Sequence, residues 1–238
     1  MRFAVLASGS DGNCSVVSYG GRHLLLDTGL SLFDTLSALR RFSIRSNREQ
    51  GGGFAALLVT HDHGDHSRYA SRLARHLGIN IETSIQGEPF VVETIPVKHI
   101  ENSVGFVVKT CKKTLVYLTD LGEPPDLSPA RFPVSAERDP LPYVDLLAIE
   151  SNYDDSMLMD SGYDAEVLKR LTGGYGHLSN RQAAETIAQV NPKQVVLLHL
   201  SKRTNRPDLA LEAVYRAGYK GKVWLPGDFA TMTEPLEV

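Results

Sequence analysis

"LLVTHDHGDHS", Leu57–Ser67, places three histidines and two aspartates within six residues, directly after an apolar run. The run has the composition of a buried strand, so the ionisable side chains collect at a strand end. His61 and His63 are two apart, and on an extended backbone two imidazoles at that spacing reach one ion. Gly64 lacks a side chain and permits a sharp bend. Asp65 and His66 can then turn toward a second ion. Imidazole suits zinc, manganese and iron, and carboxylate shifts the preference toward harder ions. The ordinary structural reading is a polar loop that opens a helix, with Asp65 near its positive end. Three of the chain's eight histidines in one six-residue window argue against it.

Three further ligand types stand after apolar runs. His99 follows "IPVK", Asp120 follows "LVYLT" and His199 follows "VVLL". Each alone reads as a turn residue or a satisfied surface group. Together with Leu57–Ser67 they repeat one pattern, an apolar run and then His or Asp, which favours a single shared site.

The rest of the chain supplies the frame. Strand-like runs recur as "RFAVLA", "SVVSY", "HLLLD", "AALLVT", "FVVETIPV", "VGFVVK", "TLVYLTD", "VDLLAIES", "VVLLHL" and "KVWLPGDF", bounded by Gly, Pro, Asn and Asp. Helical spacing appears in "SLFDTLSALRRF", in "DHSRYASRLARHLG" with a stop at Gly78, and in "DLALEAVYRAGY" after Pro207. "SNRQAAETIAQV" opens with the Ser179–Gln182 spacing of a capping box. Strict strand–helix alternation is absent, so two packed sheets with helices outside fit better than a doubly wound sheet. We expect one α+β domain over residues 1–238. "REQGGG", Arg48–Gly53, reads as a flexible loop, and the Glu123–Tyr143 stretch, with six prolines, as a long irregular excursion.

Composition sets limits. With 238 residues and 42% hydrophobic content the chain can build a real core, and a net charge of -3 gives no global attraction to nucleic acid. Two distant cysteines, Cys14 and Cys111, make no disulfide framework, so a reduced cytoplasmic setting is expected. No apolar run approaches the ~20 residues of a membrane span, and the N-terminal run reads as a strand rather than a signal peptide. No membrane association is expected.

The set "HDHGDH", His99, Asp120 and His199, with "LLLDTG" upstream, resembles the metallo-β-lactamase superfamily, whose fold is a four-layer αββα sandwich. "LASGSDGNC", "ESNYD" (residues 150–154) and "GHLSN" (residues 176–180) resemble its YycJ/WalJ-like branch, related to RNase Z-type phosphodiesterases. The resemblance implies two divalent ions, zinc or manganese with iron also compatible. His61, His63 and His99 would hold the first, Asp65, His66 and His199 the second, and Asp120 both. It places Asp27 behind the metal site as an orienting residue. It implies a metal-bound hydroxide as nucleophile, Asp65 as a catalytic ligand, and His177 as the group that protonates the leaving oxygen, with Glu150 supporting it. The implied activity is phosphodiester hydrolysis, as a 5′→3′ exonuclease on DNA. Two departures from the branch bear on substrate shape: a shorter stretch between His66 and His99, and a longer proline-rich stretch. No inserted clamp domain is expected.

Substrate contacts should be cationic or polar. Arg40, Arg41, Arg45 and Arg48 face one acid, Glu49, in their segment, and Lys202, Arg203 and Arg206 follow His199. Ser8 and Ser10 in "ASGSDGNC", Ser179 and Asn180 in "GHLSN", and Ser201 complete the expected set. The substrate reading is a nucleic acid, DNA ahead of RNA. The alternatives are a small-molecule or cyclic phosphodiesterase, and a thioesterase or lactonase of the same superfamily. A non-enzymatic metal-binding module is disfavoured by the full ligand set, and a flavodiiron oxygen reductase by His63, where that branch has glutamate. The oligomeric state is open, a homodimer included.

Overall fold

The computed structural model describes residues 1–44, 53–127, 143–231 and 235–238. Arg45, Arg48 and most of the proline-rich stretch lie outside them.

Two mixed six-stranded sheets form the centre. The first contains β1 (Arg2–Ala7), β2 (Cys14–Tyr19), β3 (Arg22–Leu26), β4 (Gly53–Leu58), β5 (Ile81–Glu82) and β12 (Leu236–Glu237), in the order β12-β1-β2-β3-β4-β5. The second contains β6 (Val91–Pro96), β7 (Val104–Lys109), β8 (Thr114–Leu118), β9 (Leu146–Glu150), β10 (Gln194–Leu198) and β11 (Lys222–Trp224), in the order β11-β10-β9-β8-β7-β6. All ten sequence-predicted strands are present. β5 and β12, two residues each, carry no readable alternation.

The side-chain alternation of the strands makes the layers. In β9, Leu146 and Ala148 enter the core between the sheets, while Leu147 and Ile149 face the opposite way. In β10, Val196 and Leu198 join the inner core and Val195 and Leu197 the outer one. A strand apolar on both faces needs cover on both. The outer cover of the second sheet is α6 (Asn180–Val190) and α7 (Pro207–Arg216), through Ala184, Ile187, Ala210 and Val214. On the first sheet α1 (Leu32–Arg41) and α3 (Ala70–Leu77) supply Leu39, Leu73 and Leu77. The result is an αββα sandwich, as expected. The Ser179–Gln182 capping box is formed, and α3 stops at Gly78 in the left-handed conformation.

Three shorter helices were not read in the sequence, α4 (Asp155–Met159), α5 (Ala165–Thr172) and α8 (Asp228–Thr231), and the helix read over residues 65–78 divides into α2 (Gly64–Ser67) and α3. The backbone turns at Gly64, from extended at His63 into α2.

Parallel pairing decides where the site lies. β3 and β4 run parallel, as do β8, β9 and β10. Their carboxyl ends therefore share one edge, with Leu26 opposite Leu58 and Glu150 opposite Leu198. Among the described residues no helix is long and apolar enough to cross a membrane.

Candidate metal centre

Asp27 follows β3 directly, His61 stands three residues beyond β4, Asp120 two beyond β8, and His199 one beyond β10. Asp27, Asp120 and His199 have positive φ of 60, 55 and 52°. Non-glycine residues reach this region at a cost, and such strain collects at functional sites. Here the left-handed turn takes the backbone off the strand.

The seven expected ligands fall into two groups that share Asp120. One contains His61, His63, His99 and Asp120, the other Asp65, His66, Asp120 and His199. Asp120 and His199 also stand with Glu150 and His177 in a third. His63 Nδ1 lies 3.0 Å from His61 Nε2 and 3.2 Å from His99 Nε2. Asp120 Oδ2 is 3.3 Å from His61 Nε2 and 3.1 Å from His66 Nε2, and Asp120 Oδ1 is 2.8 Å from His199 Nδ1. Asp65 Oδ2 stands 3.5 Å from His66 Nε2 and 3.7 Å from His199 Nε2. All seven sequence-predicted ligands are brought together.

Outer partners turn the rings inward. His66 Nδ1 bonds Asp27 Oδ2 at 2.9 Å, His61 Nδ1 meets Thr60 Oγ1 at 3.0 Å, and His99 Nδ1 donates to the Gly176 carbonyl at 3.0 Å. Each bond leaves Nε2 facing the centre. Asp27, fully buried, accepts from the Thr60 amide at 2.8 Å and from the Tyr117 hydroxyl at 3.3 Å. It thus ties the site to the core between the sheets.

The donor set fits divalent cations. His199 Nε2 is buried with no hydrogen-bond partner, a costly state for a ring nitrogen unless something else binds it. The charge balance agrees. Burial alone would lower the pKa of His66, yet Asp27, Asp120 and Asp65 raise it to about 12. Burial likewise opposes a charge on His199, and Asp120, Asp65 and Glu150 raise its pKa well above the ordinary value. His63 and His99 are lowered, by burial first. The carboxylates demand positive charge at the centre, while His63 and His99 favour the neutral form that ligates metal.

His177 stands at the edge of the centre, its Nδ1 3.1 Å from Glu150 Oε2. Burial lowers its pKa, but Glu150 outweighs this and raises it. Glu150 is fully buried and also accepts from the Leu121 and Leu178 amides, at 2.6 and 3.0 Å. Its expected support of His177 is present, and Oε2 is also 3.4 Å from His199 Nδ1.

The expected substrate contacts divide. Ser10 lines a cavity of about 470 Å³ over the centre, together with His63, Asp65, His99 and His177. Ser8 Oγ instead accepts from the His199 amide at 2.7 Å and holds that turn. Ser179 is consumed by the helix cap. Asn180 is buried, bonded to Ser151 and Asn205 at 2.6 and 2.9 Å. Ser201 accepts from the Thr204 hydroxyl at 2.9 Å. Lys202 pairs with Asp11, and Arg203 donates to the Ser161 carbonyl at 2.8 Å. These groups already have protein partners.

Sequence reasoning missed Asn13, Thr60, Arg170 and Tyr175. Asn13 Nδ2 reaches His66 Nε2 at 2.8 Å and Asp65 Oδ2 at 3.3 Å. Its place in "GNC" was a signal, since Gly12 beside it packs closely on Gly29, where a Cβ on Gly12 would lie 2.9 Å from the Gly29 carbonyl. Thr60 immediately precedes the histidine run, Arg170 lines the cavity from α5, a helix that was not read, and Tyr175 lines it from the loop after that helix.

Removing the negative charge of Asp27 tests its orienting part. Asp27→Asn is expected to weaken metal retention roughly 10- to 100-fold, read by metal analysis after titration with a chelator. Retention equal to the parent would assign Asp27 to folding alone.

A family model described as the metallo-beta-lactamase superfamily matches residues 7–154. Exodeoxyribonuclease YycJ of Bacillus anthracis is 27% identical over 248 residues, covering 90% of this chain and 88% of the relative. Exodeoxyribonuclease WalJ of Streptococcus pneumoniae is 25% identical over 242 residues, covering 88% and 85%. Among solved structures, the metallo-beta-lactamase fold protein YhfI from Bacillus subtilis gives a TM-score of 0.67 at 16% identity, covering 94% of this chain and 95% of that one. The short form of human tRNase Z gives 0.59 at 18%, covering 85% and 94%. At such identities the structural matches speak for the fold.

Proposed function

This chain belongs to the metallo-beta-lactamase superfamily, and from that premise we propose that it is a metal-dependent nuclease that hydrolyses phosphodiester bonds in DNA. The observation that carries the reading is Asp120, common to both ligand groups, with His177 beside them on its own carboxylate. Two relatives named as exodeoxyribonucleases, aligned over most of both chains, support DNA as the substrate.

In this reading His61, His63 and His99 would hold one divalent ion, Asp65, His66 and His199 a second, and Asp120 would serve both. Ions bound there acidify water and offset the charge of the phosphate. Asp65, partly open to the cavity, accepts a hydrogen bond from the attacking water. His177, oriented by the bond from its Nδ1 to Glu150, gives its Nε2 proton to the leaving oxygen. Zinc and manganese both suit the donor set.

The test is a linear duplex DNA labelled at its 5′ ends, with manganese and with zinc, beside His63→Ala. Early release of short labelled products by the parent alone is the expected result. Hydrolysis of bis(p-nitrophenyl) phosphate without cleavage of DNA would keep the metal chemistry and reject the DNA substrate. Failure on both would reject the hydrolase reading of this site.

A further inference from the structure

We propose that Arg170 and Tyr175 form a nucleotide-binding clamp beside the metal centre. Arg170 would contact a backbone phosphate next to the scissile one, and Tyr175 would stack on a base. The inference rests on the nuclease reading and narrows its substrate to a polymer with exposed bases.

The first observation is charge. The cations predicted for substrate binding after His199 already have protein partners. Lys202 is paired with Asp11, Arg206 with Asp208, and Arg203 lies over the Tyr163 ring at 4.1 Å. Lys98, near His99, bonds Glu123 at 2.7 Å. Arg170 lines the cavity, is exposed, and has no ion pair among the described residues. A guanidinium without a carboxylate, at the mouth of a phosphodiester site, is suited to a phosphate oxygen.

The second observation is an exposed aromatic. Tyr175 is 70% exposed yet lines the same cavity as His99 and His177. Its loop is held from both sides. The Gly173 amide bonds the Lys169 carbonyl at 3.0 Å, and the Gly176 amide bonds the Gly173 carbonyl at 2.8 Å. The His177 amide bonds the Leu171 carbonyl at 2.9 Å, and the Gly176 carbonyl accepts from the ligand residue His99 at 3.0 Å. A Cβ at Gly176 would lie 2.1 Å from the Leu171 carbonyl oxygen, so only glycine permits this packing. The ring is thus presented to solvent by a turn locked to the metal centre. Preorganisation of this kind lowers the entropy lost on binding.

The third observation is that α5, which carries Arg170, buries none of its residues. Core packing does not explain why this helix is kept at the mouth of the site. An aromatic face with a neighbouring guanidinium is the chemistry by which proteins bind single-stranded nucleic acid without reading its sequence. A frayed duplex end or a single strand meets that requirement, and a small cyclic phosphate offers too little to span both groups.

The experiment uses the metal-loaded full chain and a fluorescein-labelled single-stranded DNA oligonucleotide beside bis(p-nitrophenyl) phosphate. Tyr175→Ala is expected to lower the ratio of the two kcat/KM values by about 10- to 100-fold, with Tyr175→Phe near the parent because the ring remains. Arg170→Ala is expected to raise KM for the oligonucleotide and to reduce the slope of log KM against log salt by about 0.7. Both side chains are exposed, and thermal melting of the variants checks that folding is intact. A parent that cleaves the oligonucleotide, with ratio and salt slope unchanged in the variants, would overturn the clamp alone. A parent that hydrolyses only bis(p-nitrophenyl) phosphate would overturn the nuclease reading and the clamp together.

Discussion

Asp120→Asn is expected to lower phosphodiester hydrolysis by about 10³-fold or more, with the protein folded and depleted of metal. The side chain is 2% exposed, and its oxygens contact His61 of one ligand group and His66 and His199 of the other. An amide has nearly the same shape, so packing is preserved. It is neutral, however, and offers one acceptor oxygen where the carboxylate offers two. Asparagine also tolerates the left-handed φ of 55° at this position, which alanine would adopt at a further cost. The substitution therefore isolates charge and ligation from backbone strain. Turnover of bis(p-nitrophenyl) phosphate and metal content after gel filtration are the two readouts. Hydrolysis within about tenfold of the parent would remove Asp120 from the shared position assigned to it.

Gly29→Ala is the second large effect, and it acts through backbone. A Cβ at Gly29 would stand 1.9 Å from the Asp65 carbonyl oxygen and 2.7 Å from the Asn13 amide nitrogen. Neither atom belongs to a flexible side-chain end that could move aside. The Gly29 amide bonds the Asn13 carbonyl at 2.9 Å, and the Asn13 amide bonds the Asp65 carbonyl at 2.7 Å. One methyl group therefore pushes apart three segments that meet behind Asp65 and His66. Overpacking of this kind costs about 1–3 kcal/mol or more. The displacement it forces on the ligands should cost about 10²-fold in activity, as misplacements near 1 Å do. The urea midpoint and kcat/KM measure the two parts separately. An alanine variant with parental values for both would mean that the three segments separate without consequence.

The sequence was most legible where chemistry and periodicity coincide. Leu57–Ser67 carries a strand, its end and four ligands in one window. "VVLLHL" and "TLVYLTD" repeat that grammar with His199 and Asp120. The capping box at Ser179 was readable because it is local, two reciprocal bonds within four residues. The same locality explains an error: Ser179 and Asn180 looked available for substrate, and only packing shows that a cap and the Ser151–Asn205 network consume them. Lys202 and Arg203 looked free for the same reason, since their partners Asp11 and Ser161 are distant in sequence. α5 was not read although Val167, Leu168 and Leu171 fall at helical spacing; it is eight residues long and leaves all three only half-buried.

By itself the sequence determined ten of the twelve described strands, that both faces of several are buried, and which residue types cluster at their ends. These follow from short-range alternation and from the rarity of histidine, and neither needs a partner strand. Tertiary structure decided which ends meet. Parallel pairing of β3 with β4 and of β8, β9 and β10 places Asp27, His61, Asp120 and His199 on one edge, with left-handed turns carrying three of them off their strands. It also decided which polar groups stay free, because a hydrogen bond between residues far apart in the chain leaves no trace in local composition. Arg170 and Tyr175 at the cavity mouth are known only that way.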